Sequence, residues 1–140
     1  MKLQIVTTAL GLLLTVSAFA DELPFGDLKS KGATVLGEEE LRQLLTGATV
    51  RYESATHNTQ MKLAADGSMQ GFSTPRIGGG AANTGQFDGT WKIESNRWCV
   101  QTRRGLRFCR DVIKAGDRYY SSLVNTREES RPASELAISR

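Results

Sequence analysis

The sequence predicts a mainly β protein: an antiparallel β-meander of about six or seven strands, curved or half-closed into a barrel, with one short N-terminal helix. Three observations carry that reading. From Ala48 onward, apolar residues recur with a period of two, as they do along a half-buried strand. Glycine is abundant, 14 of 140 residues, and most glycines flank short apolar runs as turn punctuation does. Two cysteines, Cys99 and Cys109, bracket a segment with the signature of a tight hairpin.

Residues 1–20 have the form of an export leader. Lys2 supplies a positive start, residues 5–16 are apolar apart from threonines and Gly11, and Ala18-Phe19-Ala20 gives a small-x-small cleavage pattern. The apolar run is too short to span a bilayer comfortably. No later segment could act as a stop-transfer, and no cysteine follows Ala20 directly to take a lipid. The mature chain is therefore expected to be periplasmic or secreted, without a transmembrane anchor, in an oxidising compartment. Residues 21–140 are enough for one domain with a single core. Lys and Arg number 18, Lys2 among them, against 15 Asp and Glu. That near balance argues against a dedicated nucleic-acid binder, which usually shows a strong basic excess.

The elements follow in order. Residues 21–36 mix Pro24, Gly26 and charges, and read as an irregular lead-in to a single β-rich domain over 37–124. A helix is expected over 38–46, lying on the sheet. Leu41, Leu44 and Leu45 form one apolar stripe, Glu38, Glu39 and Glu40 occupy the first turn where the helix dipole favours negative charge, and Gly47 suits the left-handed residue that ends it. Residues 49–53 form a first strand. Strands over 59–64 and 68–73 flank Asp66-Gly67, in one of two registers. A two-residue loop sets Met61 opposite Phe72; a three-residue loop with a bulge at Gly67 sets Leu63 opposite Met69. The second is preferred, because it pairs apolar neighbours nearest the turn.

Residues 74–86 hold Pro75, Gly78-Gly79-Gly80 and Gly85 without apolar periodicity, and read as a mobile loop. Strands resume at Phe87. A two-residue turn at Ser95-Asn96 puts Ile93 opposite Trp98 and Trp91 opposite Val100, so both apolar pairs share a face. A last strand, 118–124, follows the turn at Gly116-Asp117. Residues 125–140 read as a polar tail, frayed or weakly helical.

The cysteine spacing supports a definite geometry. Arg103-Arg104-Gly105 is a natural three-residue hairpin loop with glycine where φ must be positive. Centred on Arg104, the strands pair Val100 with Phe108 and Cys99 with Cys109. If Thr102 and Leu106 form the first hydrogen-bonded pair, the cysteines form a non-hydrogen-bonded pair with Cα atoms roughly 4.5 Å apart, within disulfide range. Arg97 then faces Asp111. Trp98, Val100, Phe108 and Val112 turn to the opposite side, so the bridge belongs on the polar face. Nine intervening residues fit neither a redox C-x-x-C nor an ordinary zinc spacing.

Chemistry is sparse. His57 is the sole histidine, in a polar stretch expected to be a solvated loop. Asp66, Asp88 and Asp117 each adjoin a glycine, which turn chemistry explains. Gly78-Gly79-Gly80 lacks the lysine and hydroxyl of a phosphate loop. No catalytic residue, metal site or cofactor is expected, and the chain is not expected to be an enzyme. Two groups remain as candidates. Arg97, Arg103, Arg104, Arg107 and Arg110 cluster around the cysteine hairpin and could meet an anionic protein, a lipid head group or a polysaccharide. Tyr52, Phe72, Trp91, Trp98 and Phe108 could line a pocket if the sheet curls.

Certain of these residues form an ordered pattern: Leu44, Gly47 and Thr49; Leu63, Asp66-Gly67 and Gly71; Gly89-Thr90-Trp91; Cys99, Cys109 and Gly116-Asp117. Over residues 38–122 the pattern resembles a family of small exported proteobacterial proteins of unknown function. That resemblance implies a bacterial β-meander with one disulfide and carries over no catalytic residue. Gly89-Thr90-Trp91 is also similar to the G-x-W of lipocalins, which opens their first strand, whereas here it lies mid-chain. The leading functional expectation is a non-catalytic exported interaction module of unknown partner, working through residues 97–110 or the loop 74–86. The alternative is a small-molecule carrier with an apolar pocket in a lipocalin-like half-barrel.

Overall fold

A computed structural model describes residues 23–76, 85–124 and 132–140. The expected leader, most of the expected loop (77–84) and the first part of the expected tail (125–131) lie outside the described residues. In chain order the elements are β1 (Leu23–Pro24), α1 (Phe25–Ser30), β2 (Thr34–Val35), α2 (Glu38–Leu45), β3 (Thr49–Glu53), β4 (His57–Leu63), β5 (Ser68–Pro75), β6 (Gly85–Glu94), β7 (Arg97–Thr102), β8 (Arg107–Ala115), β9 (Arg118–Leu123) and β10 (Pro132–Ser139).

From β3 to β10 each strand pairs antiparallel with the next, and β10 returns to pair with β3, Leu136 facing Tyr52 and Ile138 facing Val50. The result is a closed eight-stranded barrel with two further short strands. The curved antiparallel meander is as expected; it goes further than a half-closed sheet of about six or seven strands by closing, and the cause is β10. Residues 132–139 were expected to be a frayed or weakly helical tail. Instead Ser134, Leu136 and Ile138 alternate inward with a period of two. The inward serine weakens the apolar signal, which leaves only two large apolar side chains to announce the strand.

Registers within the meander follow the apolar pairs. Leu63 faces Met69 around a three-residue loop, with Gly67 at φ +86°. The Asp66 carboxylate accepts hydrogen bonds from the Ser68 hydroxyl and backbone N–H, which hold it below the ordinary carboxylate range. It supports the turn above the unfolded carboxylate pKa and loses that support as pH falls through its lowered folded value. Ile93 faces Trp98 and Trp91 faces Val100, with Ser95 and Asn96 both at positive φ in the two-residue turn.

Strand stagger leaves free edges, and the chain before the barrel covers them. β7 pairs with β8 only as far as Trp98 and Arg110, and β2 pairs beyond that point, with Ile113 and Lys114. β3 pairs with β10 at Leu136–Ser139, and β1 pairs with its other end, at Pro132 and Ala133. Both additions satisfy ladder groups that would otherwise be open. The described part of the expected irregular lead-in is thus ordered. It also holds a second helix, α1, whose Phe25 and Leu28 pack on the barrel's outer wall with Ile113 and Ala133.

The other helix does not lie on a sheet face. Leu41 and Leu45 of α2 are fully buried among inward residues of the barrel, including Val50, Met61, Leu63 and Trp98, so α2 plugs one end. Its first turn is held by Glu40, which accepts from the Gly37 N–H at 2.9 Å, and by Asn96, which accepts from the Glu38 N–H at 2.9 Å. Gly47 ends the segment at φ +74°.

The disulfide forms as the register requires. Cys99 faces Cys109 with Cα atoms 4.0 Å apart, on the outer side of the β7–β8 hairpin. Thr102 N–H donates to the Leu106 carbonyl, Gly105 has φ +86°, and Arg97 pairs with Asp111 at 3.4 Å. Closing so short a loop contributes roughly 2–3 kcal/mol in the chain-entropy model. The double variant Cys99→Ala, Cys109→Ala is expected to lose about that much unfolding free energy in urea titrations, while keeping its β circular-dichroism spectrum.

Candidate functional site

Alternation divides every barrel strand into an inner and an outer set of side chains, and the pair register carries the division round the closed sheet without a break. The inner set changes character along the axis. Near α2 it is a dry core: Val50, Met61, Leu63, Met69, Trp98, Val100 and Val112 are all nearly or fully buried. Towards the other end it becomes aromatic and hydroxylic, with Tyr52, Thr59, Ser73, Phe87, Thr102 and Phe108. There the barrel opens into a cavity of about 390 Å3 lined by these six residues, with Asp88, Arg103, Arg104 and Leu106 at its rim.

Phe87 owes its position to a glycine. Gly71 faces it across β5 and β6, and a Cβ at Gly71 would sit 2.2 Å from the Phe87 ring. The ring therefore lies over the space where a side chain would be. Gly89 meets a harder constraint, since a Cβ there would fall 2.0 Å from the Gln101 carbonyl oxygen. Two residues on, Trp91 donates its indole N–H to the Ala64 carbonyl at 2.8 Å and its backbone N–H to the Gly67 carbonyl at 2.9 Å. Gly89-Thr90-Trp91 thus serves close strand approach and latches the β4–β5 turn.

Of the expected pocket residues, Tyr52 and Phe108 line the mouth, whereas Trp91 and Trp98 belong to the buried core instead. Phe72 does not belong with them. It is 48% exposed and faces outward, because the register that pairs Leu63 with Met69 turns Gly71 and Ser73 inward. Phe72 lines instead an outer groove of about 760 Å3 over β3, β4, β5, β9 and β10. That groove presents no single charge: Arg76 pairs with Glu53 at 3.8 Å and Arg118 with Glu135 at 3.6 Å.

The five arginines do not form one patch. Arg97 pairs with Asp111, Arg103 with Asp88 at 2.6 Å, and Arg107 with Glu94. These acids come from neighbouring strands and from the far side of the hairpin, so no local run of sequence shows the pairing. Arg104 is exposed at the hairpin tip. Arg110 points the other way, into the barrel, because it faces Trp98 on β7. Its guanidinium lies 4.5 Å from the Tyr52 ring centroid and 5.9 Å from that of Phe108, and its Nη2 donates to the Tyr52 hydroxyl at 3.3 Å.

Three inward polar atoms, Arg110 Nε, Trp98 Nε1 and Ser121 Oγ, are buried without a hydrogen-bond partner. His57, expected in a solvated loop, begins β4 half-buried, with Nδ1 2.8 Å from the Thr56 hydroxyl and Nε2 buried without a partner. Among the described residues, one grouping has metal-ligand spacing, Glu94 with Cys99 and Cys109, and there both sulfurs are spent in the disulfide. Asp88 sits on the rim, while Asp66 and Asp117 occupy turns between strands at the α2 end, so the three carboxylates do not converge. Comparison with known proteins returns no match to a family model, to a curated protein or to a solved structure.

The two close glycine contacts differ in what must yield. Gly71→Ala is expected to cost about 1 kcal/mol and to push the Phe87 ring into the cavity; Gly89→Ala, which strikes backbone, is expected to cost about 3 kcal/mol. Urea midpoints of the two variants, with Phe87 ring resonances as the reporter of cavity shape, check the order.

Proposed function

We propose that this protein is a non-catalytic exported carrier that holds one small amphipathic molecule in the open half of its barrel. The carrying observation is the hollow itself. An eight-stranded barrel is just wide enough to be filled by side chains or to hold one small ligand. Here the α2 end is filled and the other end is not, leaving about 390 Å3 behind aromatic and hydroxyl side chains. That volume and that mixture of linings suit a small-molecule site.

The outer faces support a barrel that works in water. Arg51, Gln60, Lys62, Gln70, Lys92 and Gln101 point outward, the reverse of the apolar-out pattern a barrel needs against lipid. The disulfide favours an oxidising compartment, in keeping with the expected leader and with a periplasmic or secreted location. The resemblance to small exported proteobacterial proteins belongs to the same reading. An interaction module built on the hairpin arginines has weaker support, because Arg97, Arg103 and Arg107 are already paired with acids.

A neutral naphthylamine dye, N-phenyl-1-naphthylamine, tests the cavity. Saturable fluorescence enhancement at one dye per chain is expected, reduced at least about tenfold in affinity when Ser73→Phe fills the mouth. No saturable uptake by the folded native protein, or equal uptake by a folded Ser73→Phe variant, overturns the carrier reading. Expression in a Gram-negative host is expected to yield a periplasmic chain whose intact mass begins at Asp21.

A further inference from the structure

The barrel places a permanent cation where no described residue neutralises it. Arg110 lies one inward step below Phe108 on β8, between Trp98 on β7 and Leu123 on β9. No Asp or Glu occupies an inward position in the described parts of β3–β10, and Arg110 makes no ion pair among the described residues. A guanidinium cannot shed its charge by deprotonation. Arg110 is half-buried, and the Tyr52 ring offsets part of the cost of its desolvation, but a ring face is a weak substitute for a counter-ion.

The unsatisfied atoms around Arg110 share one chemistry. Arg110 Nε and Trp98 Nε1 can only donate, and the Ser121 hydroxyl can donate as well. Trp98 is the cross-strand partner of Arg110, and Ser121 lies two residues from Leu123, its partner on the other side. Trp98 is 0% exposed and Ser121 is 1% exposed, so bulk solvent does not satisfy either group. Donors without acceptors, around a fixed positive charge, describe a receptor for an anionic acceptor.

We infer that the guest enters anionic head first: Arg110, with the Trp98 indole N–H and the Ser121 hydroxyl, forms a carboxylate site just beneath the cavity, behind its lining residues Tyr52 and Phe108, while a short apolar tail lies between Tyr52, Phe87 and Phe108 at the mouth. The inference rests on the carrier reading above and adds the chemical class of the cargo, an amphipathic carboxylate. A neutral amphiphile of the same length leaves the donors unmet. A cationic one is repelled. The charged hydrogen bonds therefore set the selectivity, and the aromatic mouth sets the size.

Competition for the naphthylamine dye separates the two claims. On the native protein at neutral pH, decanoate is expected to displace the dye at least about tenfold more strongly than 1-decanol, with decylamine weakest. Arg110→Met, which keeps the length of the side chain, is expected to bring decanoate and decanol within about twofold of each other while the dye still binds. The Trp98 indole N–H resonance of the native protein is expected to shift with decanoate and not with decanol. Equal displacement by decanoate and decanol on the native protein, or a preference that survives in folded Arg110→Met, overturns the anion site and leaves the carrier intact. The native ranking decides the matter even where the variant does not fold. Failure of the dye to bind native protein overturns the carrier and the anion site together.

Discussion

The seam between β10 and β3 is the constraint on which the rest of the structure depends. Four residue pairs, from Leu136 with Tyr52 to Ser139 with Thr49, turn a meander into a tube. Without them β3 and β10 would each present an open ladder, and the inner faces of eight strands would have no shared interior. Closure also explains why α2 packs at an end. A tube leaves no inner sheet face for a helix to cover, so the Leu41 and Leu45 stripe finds its apolar partners among residues at the rim of the barrel.

Inside the tube, the same alternation produces both a core and a site. The difference lies only in which residues fall on inward positions. At the α2 end these are methionine, leucine, valine and tryptophan, and they close-pack. At the other end the inward positions carry glycine, serine and threonine beside Phe87 and Phe108, so volume is left over. Gly71 and Ser73 on β5 are the clearest case. Their small size sets the width of the mouth on that side, and Phe87 uses part of the room that Gly71 vacates. Arg110 stands at the boundary between the two regions, its guanidinium against the faces of Tyr52 and Phe108, which line the cavity.

Much of this fold is legible in the chain because its turns are chemically explicit. Asp66-Gly67, Ser95-Asn96, Arg103-Arg104-Gly105 and Gly116-Asp117 each set a loop length, and loop length sets register. Once Cys99 is opposite Cys109, the inward position of Phe108 follows, and so does that of Arg110, two residues further on. Four features are hidden in the sequence for physical reasons. β10 has a serine and an alanine among its structural positions, so its hydrophobic period is faint, and its partners lie at the far end of the barrel in sequence. β1, β2 and α1 are too short to show any period and owe their form to edges and surfaces made elsewhere. The ion pairs that occupy Arg103 and Arg107 tie the β7–β8 hairpin to Asp88 and Glu94 of β6, which a linear reading of the arginine cluster passes over. Arg110 falls in with the surface arginines in a linear sequence because composition groups charges by type, whereas the pleat separates them by parity.

Closure by the final strand has a kinetic meaning. β3 is the first barrel strand in the chain, yet its second neighbour is β10, the last barrel strand to be made. Every earlier strand can find its sequential neighbour during synthesis, but no incomplete chain can finish the tube. Commitment to the closed barrel is thus deferred until β10 is available, and a chain that lacks it keeps both ends of the meander unpaired.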